Sequence, residues 1–133
     1  MINNEKTQNP RVIVVQKLYG YFLNKDSKIT FPKHRYKKYI KDVVNGTIER
    51  EEVIQNLIDT ELKENINKNK TELIVNLMIM ASIYEFMFMH KTPIKVVISE
   101  YIKIADFFVN DEQKKFLNAI LDKVSKISRV SSE

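Results

Sequence analysis

Apolar residues recur at intervals of three and four along nearly the whole chain, the spacing of helices that bury one face. The first such stretch opens at Asn9-Pro10, where asparagine suits a cap and proline the first turn; Val12, Val15, Leu18, Tyr19 and Phe22 form its apolar face. Asn24 to Thr30 reads as a connection. A short second helix is predicted from about Pro32 or Lys33 to Val44, with Tyr36, Tyr39, Ile40 and Val43 as its stripe and Asn45-Gly46 as its stop. Thr47 with Arg50 and Glu51 opens a third, whose apolar side is Val53, Leu57, Ile58 and Leu62. Asn65 to Lys70 is a polar break, and Thr71 is the predicted cap of the fourth helix.

That fourth segment is the most apolar. Leu73, Ile74, Leu77, Met78, Ala81, Tyr84 and Phe88 share a face, and Ile79, Met80, Ile83 and Met87 widen it most of the way round, as in a helix enclosed by others. Thr92-Pro93 starts a fifth helix with Val97, Ile98, Tyr101, Ile102 and Ala105 on one side. After a turn at Asn110-Asp111-Glu112, Phe116, Leu117, Ile120, Leu121, Val124 and Ile127 line the last. Residues 11–15 and 94–98 are rich in β-branched side chains, but they do not alternate and the helical spacing runs on beyond both. The expectation is an all-α, compact bundle of about six helices: one domain over residues 10–129 behind a polar tail, 1–9. Leu77, Ala81, Tyr84, Ile98 and Leu121 are predicted to be mostly buried.

Composition narrows the chemistry. With 133 residues, 44% hydrophobic and 29% charged, the chain suits one globular core. The absence of cysteine excludes a disulfide framework, a cysteine-based metal site and thiol catalysis. There is no glycine-rich phosphate loop, zinc motif or nucleophile elbow, so neither an enzyme nor a cofactor is expected. The N-terminus lacks the apolar stretch of a signal peptide and no run matches a membrane span, which leads us to expect a cytoplasmic protein without membrane association. Of the two histidines, His34 sits among basic residues and reads as solvated or anion-facing. His90, at a helix end, reads as a partner of the last carbonyls.

Charge is unevenly spread. Residues 1–45 carry ten Lys/Arg against three Asp/Glu, whereas residues 46–75 carry four against seven. Lys33, Arg35, Lys37, Lys38 and Lys41 place five cations in nine residues, with Tyr36 and Tyr39 between them. Cations interleaved with rings are a common means of holding single-stranded nucleic acid, although the same pattern also describes a solvated helix face. Lys114-Lys115-Phe116, where helix-terminal amides would add to lysine charge, is a second candidate. Glu85 and Glu100 interrupt apolar faces and are expected to be structural carboxylates, with Gln16, Lys17 or Asn118 as possible partners.

Four fragments, in order, carry a resemblance. Val15-Gln16-Lys17-Leu18-Tyr19 resembles the V-Q-x-L-Y signature of the NusB family of transcription antitermination factors, and Ile83-Tyr84-Glu85 its Y-E. Val97 to Ala105 resembles V-x-I-N-E-A-x-x-L-A, and Lys115 to Asp122 resembles K-F-V-N-G-V-L-D. The resemblance covers about residues 10–127. It implies two packed three-helix groups, no catalysis, and binding of the boxA element of nascent ribosomal-operon RNA together with a small-subunit ribosomal protein, NusE, within a transcription elongation complex. It further implies that Arg11, Tyr19 and Phe116 lie at the RNA surface, that Glu112 is close to an acidic position, and that Val75 stands where some members carry a glutamate toward the ribosomal protein. Together with the basic residues this makes Arg11, Lys17, Tyr19, Lys114, Lys115 and Phe116 the expected RNA contacts, with Lys33, Arg35, Lys37, Lys38 and Lys41 as a possible rim. Gln16, Glu85, Glu100 and Asn118 are expected to be structural.

The chain departs from the family where many relatives have an arginine-rich run before the first helix: here Thr7-Gln8-Asn9-Pro10-Arg11 holds one cation. Ser99, Ala119 and Asp106 replace the usual Asn, Gly and Lys. Two alternatives to an RNA-binding factor therefore stay open: a NusB-fold protein-interaction module with weak or no RNA binding, and a detached version of the RNA-binding domain of ribosomal RNA cytosine methyltransferases. Both monomer and homodimer remain compatible with the sequence.

Overall fold

The structure, a computed structural model, describes residues 9–64 and 71–131. Over these it holds six helices and no strand: α1 (Pro10–Leu23), α2 (Lys37–Glu49), α3 (Glu51–Glu61), α4 (Leu73–Phe88), α5 (Ile94–Ala105) and α6 (Asp111–Ser131). The predicted break at 65–70 and nearly all of the tail lie outside the described residues. No helix among the described residues is long and apolar enough to cross a membrane.

The apolar width of α4 explains the architecture. A helix that is hydrophobic almost all round must be covered on every side, and α4 touches each of the other five. Leu77, Met78, Ile79, Ala81, Ile83 and Phe86 are fully buried there. On one side α1 and α2 pack together and α3 adjoins α2; on the other, α5 and α6 pair, and α1 also reaches α5. Leu77, Ala81 and Leu121 are buried as expected, whereas Tyr84 and Ile98 are only half-buried at the edge of the core.

Side-chain caps mark two of the helix starts. Asn9 Oδ1 accepts from the Arg11 amide at 3.0 Å, and Pro10 follows in the first turn. Asn110 and Gln113 exchange reciprocal bonds of 2.8 and 2.9 Å, a capping box that starts α6. At α4 the expectation fails: Glu72, not Thr71, occupies the cap position, without a side-chain bond.

The second helix departs most from its sequence reading. It begins at Lys37 rather than near Lys33, because residues 34–37 form a turn closed by the Lys37 amide on the His34 carbonyl at 3.1 Å. It also runs through Asn45-Gly46 to Glu49. Gly46 is not a stop: a Cβ at that position would overlap the ring of Tyr84 on α4. The glycine lies mid-helix because two helices approach closely there. Thr47, read as opening the third helix, is instead buried inside α2, and Val53, assigned to the apolar side of α3, is 53% exposed while Ile54 turns inward.

Candidate nucleic-acid interface

Charge sorts into an interior cluster and an exposed surface. Inside, Glu85 is fully buried on α4. Arg11 of α1 meets it with two charge-assisted bonds, Nε to Oε2 at 3.2 Å and Nη2 to Oε1 at 2.7 Å. The Tyr39 hydroxyl of α2 donates to Oε2 at 2.8 Å and that of Tyr101 on α5 at 2.5 Å. The guanidinium also lies 5.1 Å from the centre of the Tyr39 ring and 5.5 Å from that of Tyr101. Four helices are thus tied to one carboxylate. Burial alone would lower the Arg11 pKa, but the Glu85 charge, with smaller contributions from both phenols, holds it above its ordinary value. Burial first, and then Glu85, pushes both tyrosines well above 10.

This cluster corrects the sequence reading of Arg11. It is 9% exposed and committed to Glu85, so it belongs to the interior rather than to a phosphate-facing surface. Glu85 is bonded within the core, and its partners are Arg11, Tyr39 and Tyr101 rather than Gln16, Lys17 or Asn118. Gln16 and Asn118 are exposed, and Glu100 is half-exposed with no hydrogen bond or ion pair to another described residue. Tyr101 was read only as a member of an apolar stripe, whereas Tyr39 was read both as one and as a ring among the cations of Lys33 to Lys41; it turns inward to Glu85 instead. The signal that could have found them is that a buried phenol needs an acceptor, and a buried carboxylate needs several donors. Arg129 was also missed: it donates to the Phe86 carbonyl at 3.0 Å and to that of Thr92 at 3.2 Å, tying α6 to the end of α4.

Outside, the basic residues are placed as follows. Lys33, Arg35, Lys37, Lys38 and Lys41 are all exposed and none has a carboxylate partner among the described residues. Tyr36 is 48% exposed, with the Arg35 guanidinium 5.4 Å from its ring centre. His34, read as solvated or anion-facing, is half-buried, and its Nδ1 accepts from the Tyr36 amide at 2.9 Å, which steadies the turn into α2. On α1, Tyr19 is 39% exposed and Lys17 half-buried. At the start of α6, Lys115 is exposed, Lys114 is paired with Asp106 at 3.0 Å, and Phe116 packs against the core with part of its ring outside. His90 Nε2 lies 2.7 Å from the Met87 carbonyl, the helix-end contact read from its position.

The family model of the NusB family matches residues 8–126. Among curated proteins, the transcription antitermination protein NusB of Bradyrhizobium diazoefficiens is 31% identical over 88 residues, which is 66% of this chain and 53% of that one. The protein of the same name from Rickettsia massiliae is 26% identical over 117 residues, 85% of this chain and 75% of the relative. In the first of these the match spans only about half of the relative's length. Among solved structures, T. maritima NusB superposes with a TM-score of 0.76 at 24% identity, covering 95% of this chain and 93% of that one, a likeness of fold.

Proposed function

The chain belongs to the NusB transcription antitermination family, and from that premise we propose that it is a cytoplasmic RNA-binding factor that contacts boxA RNA together with the ribosomal protein NusE in the elongation complex. The observation that carries this reading is the run of five exposed cations, Lys33 to Lys41, without carboxylate partners among the described residues and with a half-exposed tyrosine among them. Phosphate neutralisation needs such unpaired charge, and an exposed ring offers a base a stacking surface. Lys17, Tyr19 and Lys115 join it as proposed contacts. Lys114 contributes less, since Asp106 already occupies its ammonium, and Arg11 is left out because it is spent on Glu85.

The test is a salt-resolved titration of boxA RNA and a scrambled control, with and without NusE. Lys115→Ala and Lys37→Ala are expected to weaken both RNAs and to flatten the salt dependence by about 0.7 each, the single-strand value per phosphate contact. Tyr19→Ala should cost roughly 1–3 kcal/mol with little change in that slope if its ring stacks on a base. A second reading, a NusB-fold protein-interaction module, is favoured by the burial of Arg11, which takes the one cation of Thr7 to Arg11 out of the proposed phosphate contacts. Unaltered boxA binding in all three variants, with the fold intact and NusE present, would decide for it.

A further inference from the structure

A cleft of about 580 Å³ lies between the second half of α2 and the connection from α4 to α5, within the roughly 300–1,000 Å³ of small-ligand sites. Its apolar wall is a pair of rings on α4, Tyr84 and Phe88, with centres 5.3 Å apart; Phe88 is 42% exposed. The Arg50 guanidinium lies 4.4 Å from the centre of the Phe88 ring and 5.9 Å from that of Tyr84. Lys41 of α2 and Lys91 of the α4–α5 connection are both in its lining, and both are exposed. Two carboxylates, Asp42 and Glu49, are also in the lining. Glu49 lies 3.6 Å from Arg50, whereas Asp42 has no cation partner among the described residues. Burial pushes the Tyr84 hydroxyl pKa up, the Arg50 charge opposes that, and Asp42 and Glu49 add smaller upward contributions.

We propose that this cleft binds one unpaired guanine of a single-stranded RNA. The base stacks against the Tyr84–Phe88 pair, the Asp42 carboxylate accepts from its N1–H and N2–H, and Lys41 and Lys91 hold the flanking phosphates. Guanine is the one base whose Watson–Crick edge offers two adjacent N–H donors to a single carboxylate; uracil offers one and would leave an oxygen against it. Stacking on an exposed ring beside an arginine plane is sequence-tolerant, so the selectivity comes from Asp42. An RNA fits this surface better than a protein segment because Lys41 is the last of the five exposed cations that begin at Lys33, so the charge continues from the cleft along α2. The proposal rests on the RNA-binding reading and extends it to a base-selective contact.

The test uses the full chain and a short oligouridine RNA with or without one central guanine. The guanine-bearing RNA should bind more tightly. Phe88→Leu, which keeps apolar volume but removes the ring, should weaken it roughly 5- to 100-fold, with the fold checked by circular dichroism. Asp42→Asn should abolish the preference while leaving oligouridine binding nearly unchanged. Lys41→Ala and Lys91→Ala should weaken both RNAs and lower the salt slope by about 0.7 each. Equal affinity for the two RNAs, with Phe88→Leu and Asp42→Asn binding like the original protein while Lys115→Ala still weakens binding, would overturn the cleft and leave the RNA reading standing. Absence of RNA binding by the unaltered chain would overturn both. Loss of NusE binding in Phe88→Leu with RNA affinity unchanged would assign the cleft to a protein partner and overturn it as well.

Discussion

The surroundings of Glu85 and the face from Lys33 to Lys41 use the same residue types, arginine beside tyrosine, to opposite ends. Inside, one fully buried carboxylate is held by one guanidinium and two phenols. Outside, Arg35 lies against the exposed ring of Tyr36, and the neighbouring lysines have no carboxylate partner among the described residues. A buried charge has lost its hydration and must recover that energy from fixed partners, so it contributes geometry and is unavailable for binding. An exposed unpaired cation keeps its water, adds little to stability and remains available to a phosphate. The same contrast explains why Arg11, which the resemblance put at the RNA surface, is a poor choice for an RNA contact.

The sharpest way to break this comparison is to remove Glu85. Glu85→Ala leaves Arg11 buried and uncompensated and should cost about 3–5 kcal/mol in urea denaturation; a loss below about 1 kcal/mol would mean that water reaches the cluster. The phenols come next. Tyr39→Phe and Tyr101→Phe should each cost roughly 1.5–3 kcal/mol, the range for hydrogen bonds to a charged group.

The same tyrosines fix an alkaline limit. Their folded-state pKa values lie above the ordinary value of 10, so their contribution is fully present below pH 10. Above it, the unfolded chain loses phenolic protons that the folded one retains, and stability falls by up to about 1.4 kcal/mol per pH unit for each tyrosine. Denaturation midpoints across that range should fall less steeply in Tyr39→Phe; an identical slope would place Tyr39 in solvent.

A smaller effect belongs to Gly46. Alanine in mid-helix is intrinsically favoured by roughly 0.5–1 kcal/mol, yet here its Cβ meets the Tyr84 ring. Gly46→Ala should therefore destabilise the original protein and stabilise a Tyr84→Ala background, and a double-mutant cycle reads the sign change directly. Smallest of all, Lys37→Ala or Lys38→Ala should change stability by less than about 0.5 kcal/mol; a larger loss would show that the outer face is not mere solvated charge.

Much of the fold was legible in the residues. Six apolar stripes marked six helices, Asn9-Pro10 marked the first start, and the all-round hydrophobicity of the Leu73–Phe88 segment predicted its central place. These follow from period and capping, which act over a few residues and leave their mark in order along the chain. The candidate interface was legible in part: the charge density of Lys33 to Lys41 is a property of the sequence, and its exposure agrees.

Contacts between distant residues were not legible. Gly46 looked like a helix stop because glycine commonly is one, and only the approach of Tyr84, 38 positions along, makes it a packing residue. Glu85 and Glu100 looked alike, each a carboxylate set into an apolar stripe; one became fully buried and fourfold bonded, the other stayed at the surface without a described partner. Burial depends on which helix covers a face, and the partners of a buried charge come from wherever the chain returns. Helices and net charge were therefore decided by local chemistry, while the division of cations between core and surface was decided by packing.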